Sequence, residues 1–358
     1  MKTINNYKKR LDFIDMSKGF AMICIILGHF YAGCYPIWGR IIYPFHVPIF
    51  FLISGFFITS NFCQAPKIFI KKKCKNLLLP YVYSCIVMMI VSMVQNVISG
   101  EFESILLNEG QLLCASIYGG GGQNALYPLG FEYNWIGVLW FLPALFEALM
   151  LTYFIIYFIR GIIIQILCVL FVLILGLLIA KYIPWQMPFT LTSGMTAIIY
   201  VYVGYLFSKI DIKTVRNINI FFAGIVGLAG WYIAIRYNWA PIYSQAIYGS
   251  NIKIITITII CSILASIAII LIMLCYSTFS ERPKVLEYIG RNSIVVLCVH
   301  AVELRVINWT RIFNELFIKF KLYMNFKEQM MFRVFFIYIV TVIIVNIMAY
   351  MKKHINEY

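Results

Sequence analysis

RLDFIDMSKGFAMICIILGHF, residues 10–30, places charged side chains at Asp15 and Lys18 and then runs almost without polar residues to His29. A helix needs about 20 mostly apolar residues to cross the hydrocarbon core of a bilayer. This stretch has that length. Because an ionisable side chain that faces lipid without a partner is costly, Asp15, Lys18 and His29 need protein partners or a polar cavity. The stretch therefore predicts a transmembrane helix with a polar inward face.

The composition of the whole chain indicates the same environment. Of the 358 residues 62% are hydrophobic and 12% are charged, and the mean hydropathy is +0.87. Soluble domains carry about 25% charged residues. The net charge of +15 does not indicate nucleic-acid binding, because the basic residues stand in short runs between apolar stretches. The ten cysteines include no CxxC pair, and we expect no metal site.

Ten apolar windows predict an all-α fold, a polytopic integral membrane helical bundle of about ten transmembrane helices in a single domain, 1–358. The windows lie near 14–34, 41–60, 78–98, 137–159, 162–180, 190–208, 217–236, 254–276, 289–308 and 333–351. Those near 41–60 and 289–308 are the least regular, since the first contains His46 and Pro48 and the second has a polar start.

The distribution of lysine and arginine predicts the orientation, because cytoplasmic loops carry the excess of these residues. Most of them fall on the inner side if both termini are cytoplasmic. A basic cluster from Arg305 to Arg333 departs from this rule, and we interpret it as an amphipathic helix at the interface. The residues near 99–136 contain no lysine or arginine and are predicted to form a large external loop.

The polar residues of the first span share one helix face. Asp15 and Lys18 are one turn apart and can pair. Lys18 and His29 are 11 residues apart, which corresponds to about three turns and roughly 16 Å along one face. Histidine is suited to proton transfer near neutral pH, so His29 is a candidate general base for acyl transfer to a hydroxyl. A hydrogen-bonded helix contact is the alternative interpretation.

Further candidates among the ionisable residues in apolar windows are His46, Glu147, His300 and Glu303. His46 either forms a polar site with His29 or caps the helix before Pro48. Glu147 is either paired within the bundle or lines a polar cavity. For His300 we favour a structural role.

A basic run, KIFIKKKCKNLLLPY, occupies residues 67–81. It is typical of anchoring against anionic lipid. Lys72, Lys73 and Lys75 could instead bind the phosphates of an anionic donor such as a coenzyme A thioester, and the nearby Lys18 favours this second interpretation.

Five ordered stretches together resemble one family. They are RLDFIDMSKGFAMICIILGHF, FHVPIFFLISGFF, FIKKKCKNLLLPYV, LWFLPALF and YIGRNSIVVLCVH. They are similar to the bacterial acyltransferase-3 membrane family, and especially to its fucose 4-O-acetylase-like branch. The resemblance implies an O-acyltransferase of the bacterial inner membrane. Such an enzyme moves an acyl group from cytoplasmic acyl-CoA to a hydroxyl of a cell-envelope glycan.

The resemblance also implies roles for individual residues. His29 stands at the position of the family's catalytic histidine, Lys18 at a basic position and Asp15 at the acidic position before it. His46 and Ser54 match the second-span block. The chain departs from the family where Lys73 and Asn76 replace arginines, and where Ala301 replaces a proline. The replacement of arginine removes a bidentate contact and leaves the details of donor binding open.

These observations together predict a mechanism. Acetyl-CoA would dock its phosphates on Lys18, Lys72, Lys73 and Lys75, and its acetyl group would reach His29. Asp15 is too far along the helix to orient the imidazole of His29, so His46 or Glu147 would do so. The acceptor would be a surface polysaccharide or a lipid-linked oligosaccharide. A transporter or flippase for a lipid-linked saccharide is the alternative, although no inverted repeat is visible.

Overall fold

The computed structural model describes residues 11–31, 36–58, 65–100, 102, 105–121, 135–183, 185–210, 217–238, 252–277, 283–307, 309–321 and 324–355. These residues form helices and short connections, and no strand occurs among them. The helices are α1 (Asp12–Tyr31), α2 (Pro36–Ile42), α3 (Pro48–Phe56), α4 (Pro66–Lys73), α5 (Leu79–Ser99), α6 (Ile105–Tyr118), α7 (Phe141–Phe158), α8 (Ile162–Tyr182), α9 (Leu191–Ser208), α10 (Asn217–Tyr237), α11 (Ile252–Tyr276), α12 (Lys284–Arg291), α13 (Ser293–Val306), α14 (Trp309–Phe320) and α15 (Phe326–Ile355).

Eight helical segments of the described chain are long and apolar enough to span a membrane. They are Asp12–Phe30, Pro66–Ile98, Gly137–Phe158, Ile162–Tyr182, Pro188–Ser208, Asn219–Tyr237, Lys253–Tyr276 and Phe326–Met351. In Pro66–Ile98 a π-helical turn, Cys74–Leu78, joins α4 to α5. If α12 and α13, which are bent by 79° relative to one another, are counted as one span, they make a ninth. The predicted all-α polytopic bundle is therefore confirmed.

The two least regular windows differ from simple spans. The window near 41–60 contains the end of α2, a turn over residues 43–47, and α3, which begins at Pro48. Proline is favoured in the first turn of a helix, where its missing N–H has no intrahelical acceptor. The short α3 is buried along almost its whole length, so protein rather than lipid surrounds it. The window near 289–308 is divided by the bend at Asn292.

Paired glycines bring two sets of helices into backbone contact. Where α3 crosses α9, a Cβ on Gly55 would collide with the carbonyl oxygen of Val201, and one on Gly204 with that of Leu52. Small residues let membrane helices approach closely, so that van der Waals packing can hold them together. The crossing fixes α3 against α9, which also packs against α7 and α8.

A second pair of glycines brings α1 into backbone contact with α12. A Cβ on Gly19 would meet the carbonyl oxygen of Leu286, and a Cβ on Gly290 would meet that of Asp15. The helix that carries Lys18 and His29 is therefore held directly against the backbone of α12.

The segment from Arg305 to Arg333 contains α14, which is amphipathic as expected. Trp309 and Phe313 are buried on one face, and Arg311 and Glu315 are exposed and paired on the other. Its position at a membrane interface stays a prediction. The predicted external loop near 99–136 contains α6, and residues 122–134 lie outside the described residues.

We expect Gly55→Ala to lower the stability of the protein by about 1–3 kcal/mol, because the added methyl group must push two packed backbones apart. Gly224→Ala is the matched control, since no atom of the described residues lies within 4 Å of a Cβ at that position of α10. Thermal unfolding of the detergent-solubilised proteins measures both. Equal unfolding temperatures would show that the α3–α9 crossing is not close-packed.

Candidate active site

Two histidines meet at the end of α1. The ring centroids of His29 and His300 are 5.6 Å apart. His300 has no exposed surface. His29 is exposed, although its neighbours Gly28 and Phe30 in α1 are buried. The ring of His29 therefore touches the buried interior and also an accessible space, as a group that meets a substrate must.

A third histidine approaches the same end of α1. The Tyr43 hydroxyl donates to the carbonyl oxygen of Gly28 at 3.4 Å, and the Tyr43 ring lies 5.1 Å from that of His46. Tyr43 thus contacts both the ring of His46 and the backbone of the residue before His29. The turn between α2 and α3 therefore places His46 at the end of α1 that carries His29. Its catalytic role stays a prediction.

The tautomer of His46 follows from its partners. Nδ1 lies 3.2 Å and 3.3 Å from the carbonyl oxygens of Ile42 and Tyr43. A carbonyl oxygen only accepts hydrogen bonds, so Nδ1 carries the proton and Nε2 keeps its lone pair. Despite the nearby histidines, the described residues contain no group of three or more His, Cys, Asp or Glu that could hold a metal ion.

His300 belongs to a buried ionic network. Its Nδ1 lies 3.1 Å from Oε2 of Glu303, which is only 1% exposed. The other oxygen, Oε1, accepts hydrogen bonds from Trp309 Nε1 and from Arg333, whose Nε and Nη2 lie at 2.8 Å and 2.6 Å. The Arg333 guanidinium also stacks 3.7 Å above the Phe30 ring. Trp309 and Arg333 thus donate to one oxygen of the Glu303 carboxylate, and Nδ1 of His300 lies at the other.

No role was predicted from the sequence for Glu303 or Arg333. One local signal was available, because Glu303 follows His300 by three residues and both would share a face of one apolar helix. Arg333 lies 30 residues further along the chain. Only the packing of α15 against α13 brings it to the carboxylate.

The other end of α1 carries an ion-pair cluster. Lys18 Nζ lies 3.0 Å from Oδ1 of Asp15, which confirms the predicted pair. Arg291 adds a second cation, with Nε 3.4 Å from Oδ2 of Asp15, and it also pairs with Glu287. Asp15 is 4% exposed. The close contact between α1 and α12 therefore gives a buried carboxylate two cationic partners.

A cavity of about 200 Å³ opens beside this cluster. Its polar lining comes from Lys18, Ser54, Lys73, Asn76 and Ser293, and the rest is apolar. The sequence predicted that cations from α1 and from the basic run would meet, and Lys18 and Lys73 do meet here.

Lys72 and Lys75 do not line this cavity and are exposed. Their predicted contact with a donor stays a prediction. Both belong to the basic run that supplies Lys73 and Asn76 to the cavity lining.

Glu147 lies on another face of α7. Phe141, Leu145 and Leu149 of this helix line the cavity. Glu147 instead packs against α9, where a Cβ on Gly194 would lie 2.7 Å from its Cβ and 3.0 Å from its Oε2. That oxygen is buried and has no hydrogen-bond partner among the described residues. No contact of the described chain joins Glu147 to His29, and its catalytic role stays a prediction.

Two helices connect the cavity to the histidines. Along α1, Lys18 lines the cavity and His29 follows about three turns later. Along α13, Ser293 lines the cavity and His300 follows about two turns later. The cavity and the histidine cluster are therefore separated by roughly 10–16 Å of bundle interior.

Long apolar helices around a buried ionic and histidine site define a polytopic helical membrane protein with its polar groups inside the bundle. A family model described as "Acyltransferase domain" matches residues 11–351, so the chain belongs to the acyltransferase-3 family. It is an enzyme that transfers acyl groups. No curated protein and no solved structure matches the chain. The match confirms the family, and the fucose 4-O-acetylase-like branch stays a prediction.

We expect Asp15→Asn to destabilise the protein by about 3 kcal/mol, because it leaves Lys18 and Arg291 close together without their shared anion. Arg311→Gln is the control, since the Arg311–Glu315 pair is exposed and should contribute less than about 1 kcal/mol. Thermal unfolding in detergent compares the two variants. If Asp15→Asn unfolded at the wild-type temperature, the ion-pair cluster would not stabilise α1.

Proposed function

We propose that this protein is a membrane O-acyltransferase that moves an acetyl group from cytoplasmic acetyl-CoA to a hydroxyl of a surface polysaccharide or lipid-linked oligosaccharide. The observation that carries the proposal is the placement of a cationic cavity and an accessible histidine on the same helix, three turns apart. Membership of the acyltransferase-3 family supports acyl transfer in general. We place the protein in the bacterial inner membrane with both termini in the cytoplasm.

The cavity suits the anionic part of an acyl-CoA. Lys18 and Lys73 supply point charges for phosphate oxygens, and Ser54, Asn76 and Ser293 supply uncharged hydrogen-bonding groups. The exposed Lys72 and Lys75 would add attraction outside the cavity. With a volume of about 200 Å³ the cavity holds only part of the donor. The remaining thin arm would extend between α1 and α13 to the histidines.

His29 is the group best placed for the chemistry. A neutral imidazole nitrogen would take the proton of the sugar hydroxyl while the hydroxyl oxygen attacks the thioester carbonyl carbon. The carbon–sulfur bond then breaks, and the departing thiolate takes a proton. Transient transfer of the acetyl group to His29 before attack by the sugar is the second hypothesis. Both require an accessible imidazole, which His29 provides.

The alternative function, transport of a lipid-linked saccharide, also uses ionisable groups inside a bundle. It does not explain why a lysine-lined cavity and a histidine cluster would lie along the same two helices, whereas delivery of an acyl group from an anionic donor requires both parts. Membership of an acyltransferase family favours the enzyme. The residues near 99–136, with the glycines after α6, would lie on the acceptor side.

We expect His29→Ala to abolish O-acetylation of the surface glycan in a strain that lacks the gene and is re-supplied with the variant. NMR of the purified glycan measures the acetyl signals, with wild type and His354→Ala in the last turn of α15 as controls at matched membrane levels. Restored signals with His29→Ala would remove this histidine from the mechanism. If deletion left acetylation unchanged and the glycan failed to reach the surface, the transporter interpretation would replace ours.

We expect Lys73→Gln to raise the KM for acetyl-CoA about tenfold with little change in kcat, because it removes a cation from the donor cavity rather than from the reacting centre. Lys71→Gln is the matched control, since Lys71 is exposed in the same helix and does not line the cavity. Release of the free thiol by inside-out membrane vesicles gives both constants. An equal rise in KM for the two variants would indicate that the basic run attracts the donor only by its overall charge.

A further inference from the structure

The mechanism needs a group that orients His29, and the structure offers one other than His46 and Glu147. The ring of His300 is fully buried beside that of His29. Its Nδ1 is bonded to Glu303, whereas its Nε2 is buried and has no hydrogen-bond partner among the described residues. A buried nitrogen without a partner is costly, and within a membrane bundle it needs an explanation.

The protonation of His300 follows from Glu303. Arg333 and Trp309 both donate to one oxygen of Glu303, so this carboxylate acts as an acceptor. The other oxygen can then accept only from a protonated Nδ1 of His300. With the proton fixed on Nδ1, the neutral ring presents a lone pair on Nε2. His300 is thus prepared to accept one more hydrogen bond.

The distance between the two rings suits such a bond. An N–H···N hydrogen bond of about 3 Å between two imidazoles, each with a ring radius of about 1.1 Å, places the ring centroids about 5 Å apart. The centroids of His29 and His300 are 5.6 Å apart, with the ring planes inclined by 51°. A small rotation of the accessible His29 ring would complete the bond, while His300 is held in place by Glu303 on one side and Phe30 on the other.

We propose that His300, held by Glu303 and Arg333, is the positioning residue that orients the catalytic imidazole of His29 through a hydrogen bond from His29 to its Nε2. This inference rests on the proposed function of His29. One ring nitrogen of His29 donates to His300, so the other nitrogen keeps its lone pair and faces the acceptor hydroxyl. The chain Arg333–Glu303–His300–His29 therefore selects the tautomer of His29 that can act as a base or nucleophile.

The same series of hydrogen-bonded residues, Arg333–Glu303–His300–His29, supports the reaction when His29 gains a proton. The hydroxyl proton moves to the free nitrogen of His29, and the resulting imidazolium keeps its hydrogen bond to His300. Glu303 stabilises that positive charge through the His300 ring, as a carboxylate behind a catalytic histidine does in hydrolase triads. The proton then leaves with the thiol, and His29 returns to the neutral form. No oxidant, reductant or metal is needed.

A purely structural role for the network makes a different prediction. A buried ion pair that only holds α13 against α15 would affect the amount and stability of folded protein, and any loss of activity would follow those losses. A positioning role affects turnover with the donor still bound normally. Members of one orienting chain also act as a unit, so removing two of them costs little more than removing one.

The experiment compares His300→Gln, Glu303→Gln and the double variant with wild type, His29→Ala and the exposed control Arg311→Gln. Thiol release from acetyl-CoA by inside-out vesicles of the glycan-producing strain gives kcat and KM, and thermal unfolding in detergent gives the stability of each protein. We expect each single variant to lower kcat on the order of 100-fold, with the KM for acetyl-CoA unchanged within about twofold. The double variant should be no slower than the slower single variant, and Arg311→Gln should match wild type.

A second measurement does not depend on turnover. The chain has only four histidines, so labelling them with ¹⁵N gives four ring systems that substitution can assign by NMR. With coenzyme A added to the solubilised full-length protein, we expect a ¹⁵N–¹⁵N coupling between the rings of His29 and His300 and a proton on Nδ1 of His300. Glu303→Gln should weaken the coupling.

The outcomes separate the two proposals. If wild type releases thiol and His29→Ala does not, but Glu303→Gln and His300→Gln retain wild-type kcat, the positioning role is wrong and the proposed function stands. Losses in kcat that only track unfolding temperature, or that multiply in the double variant, would assign the network a structural role. If wild type releases no thiol from acetyl-CoA, the proposed function fails. The absence of a His29–His300 coupling would overturn the positioning role even where the variants fail to accumulate.

Discussion

The cost of placing an ionisable side chain in hydrocarbon controls the architecture of this protein. Two buried carboxylates, one at each end of the site, are matched by partners from another helix or another turn. Asp15 is paired with Lys18 and Arg291, and Glu303 is bonded to three donor residues. Because these partners must stay within about 3–4 Å, the helices that carry them cannot slide or separate. The polar site and the packing of the bundle therefore depend on one another.

Glycine contacts make these short distances possible. At the α1–α12 crossing, Gly19 and Gly290 each meet a backbone carbonyl oxygen of the other helix, which leaves no room for a side chain. Arg291 directly follows Gly290, so the contact that joins the helices also delivers a cation to Asp15. At the α3–α9 crossing, Gly55 directly follows Ser54, which lines the cavity. In both places the packing residue and the polar residue are neighbours in the chain.

The parts of the site that sequence could predict are local. Asp15, Lys18 and His29 lie on one helix, so their spacing gave the ion pair and the distance to the histidine. Sequence could not supply contacts that depend on packing. Arg333 lies 30 residues from its partner Glu303, and it had been included only in a basic cluster. The window near 41–60 had the hydropathy of a span, but hydropathy does not distinguish a lipid-facing helix from one that protein surrounds, as α3 is.

The pairing of Glu303 with Arg333 limits how His300 can act. A histidine ring that carries a proton on each nitrogen has no lone pair and cannot accept a hydrogen bond. In the proposed arrangement Arg333 balances the charge of Glu303, and the proton that His300 Nδ1 donates to this carboxylate leaves Nε2 as the acceptor. A neutral acceptor orients His29 without bringing a net charge to the membrane interior. The proposal therefore requires Arg333, which is far in sequence from both histidines, if the imidazole of His29 is to act as a base.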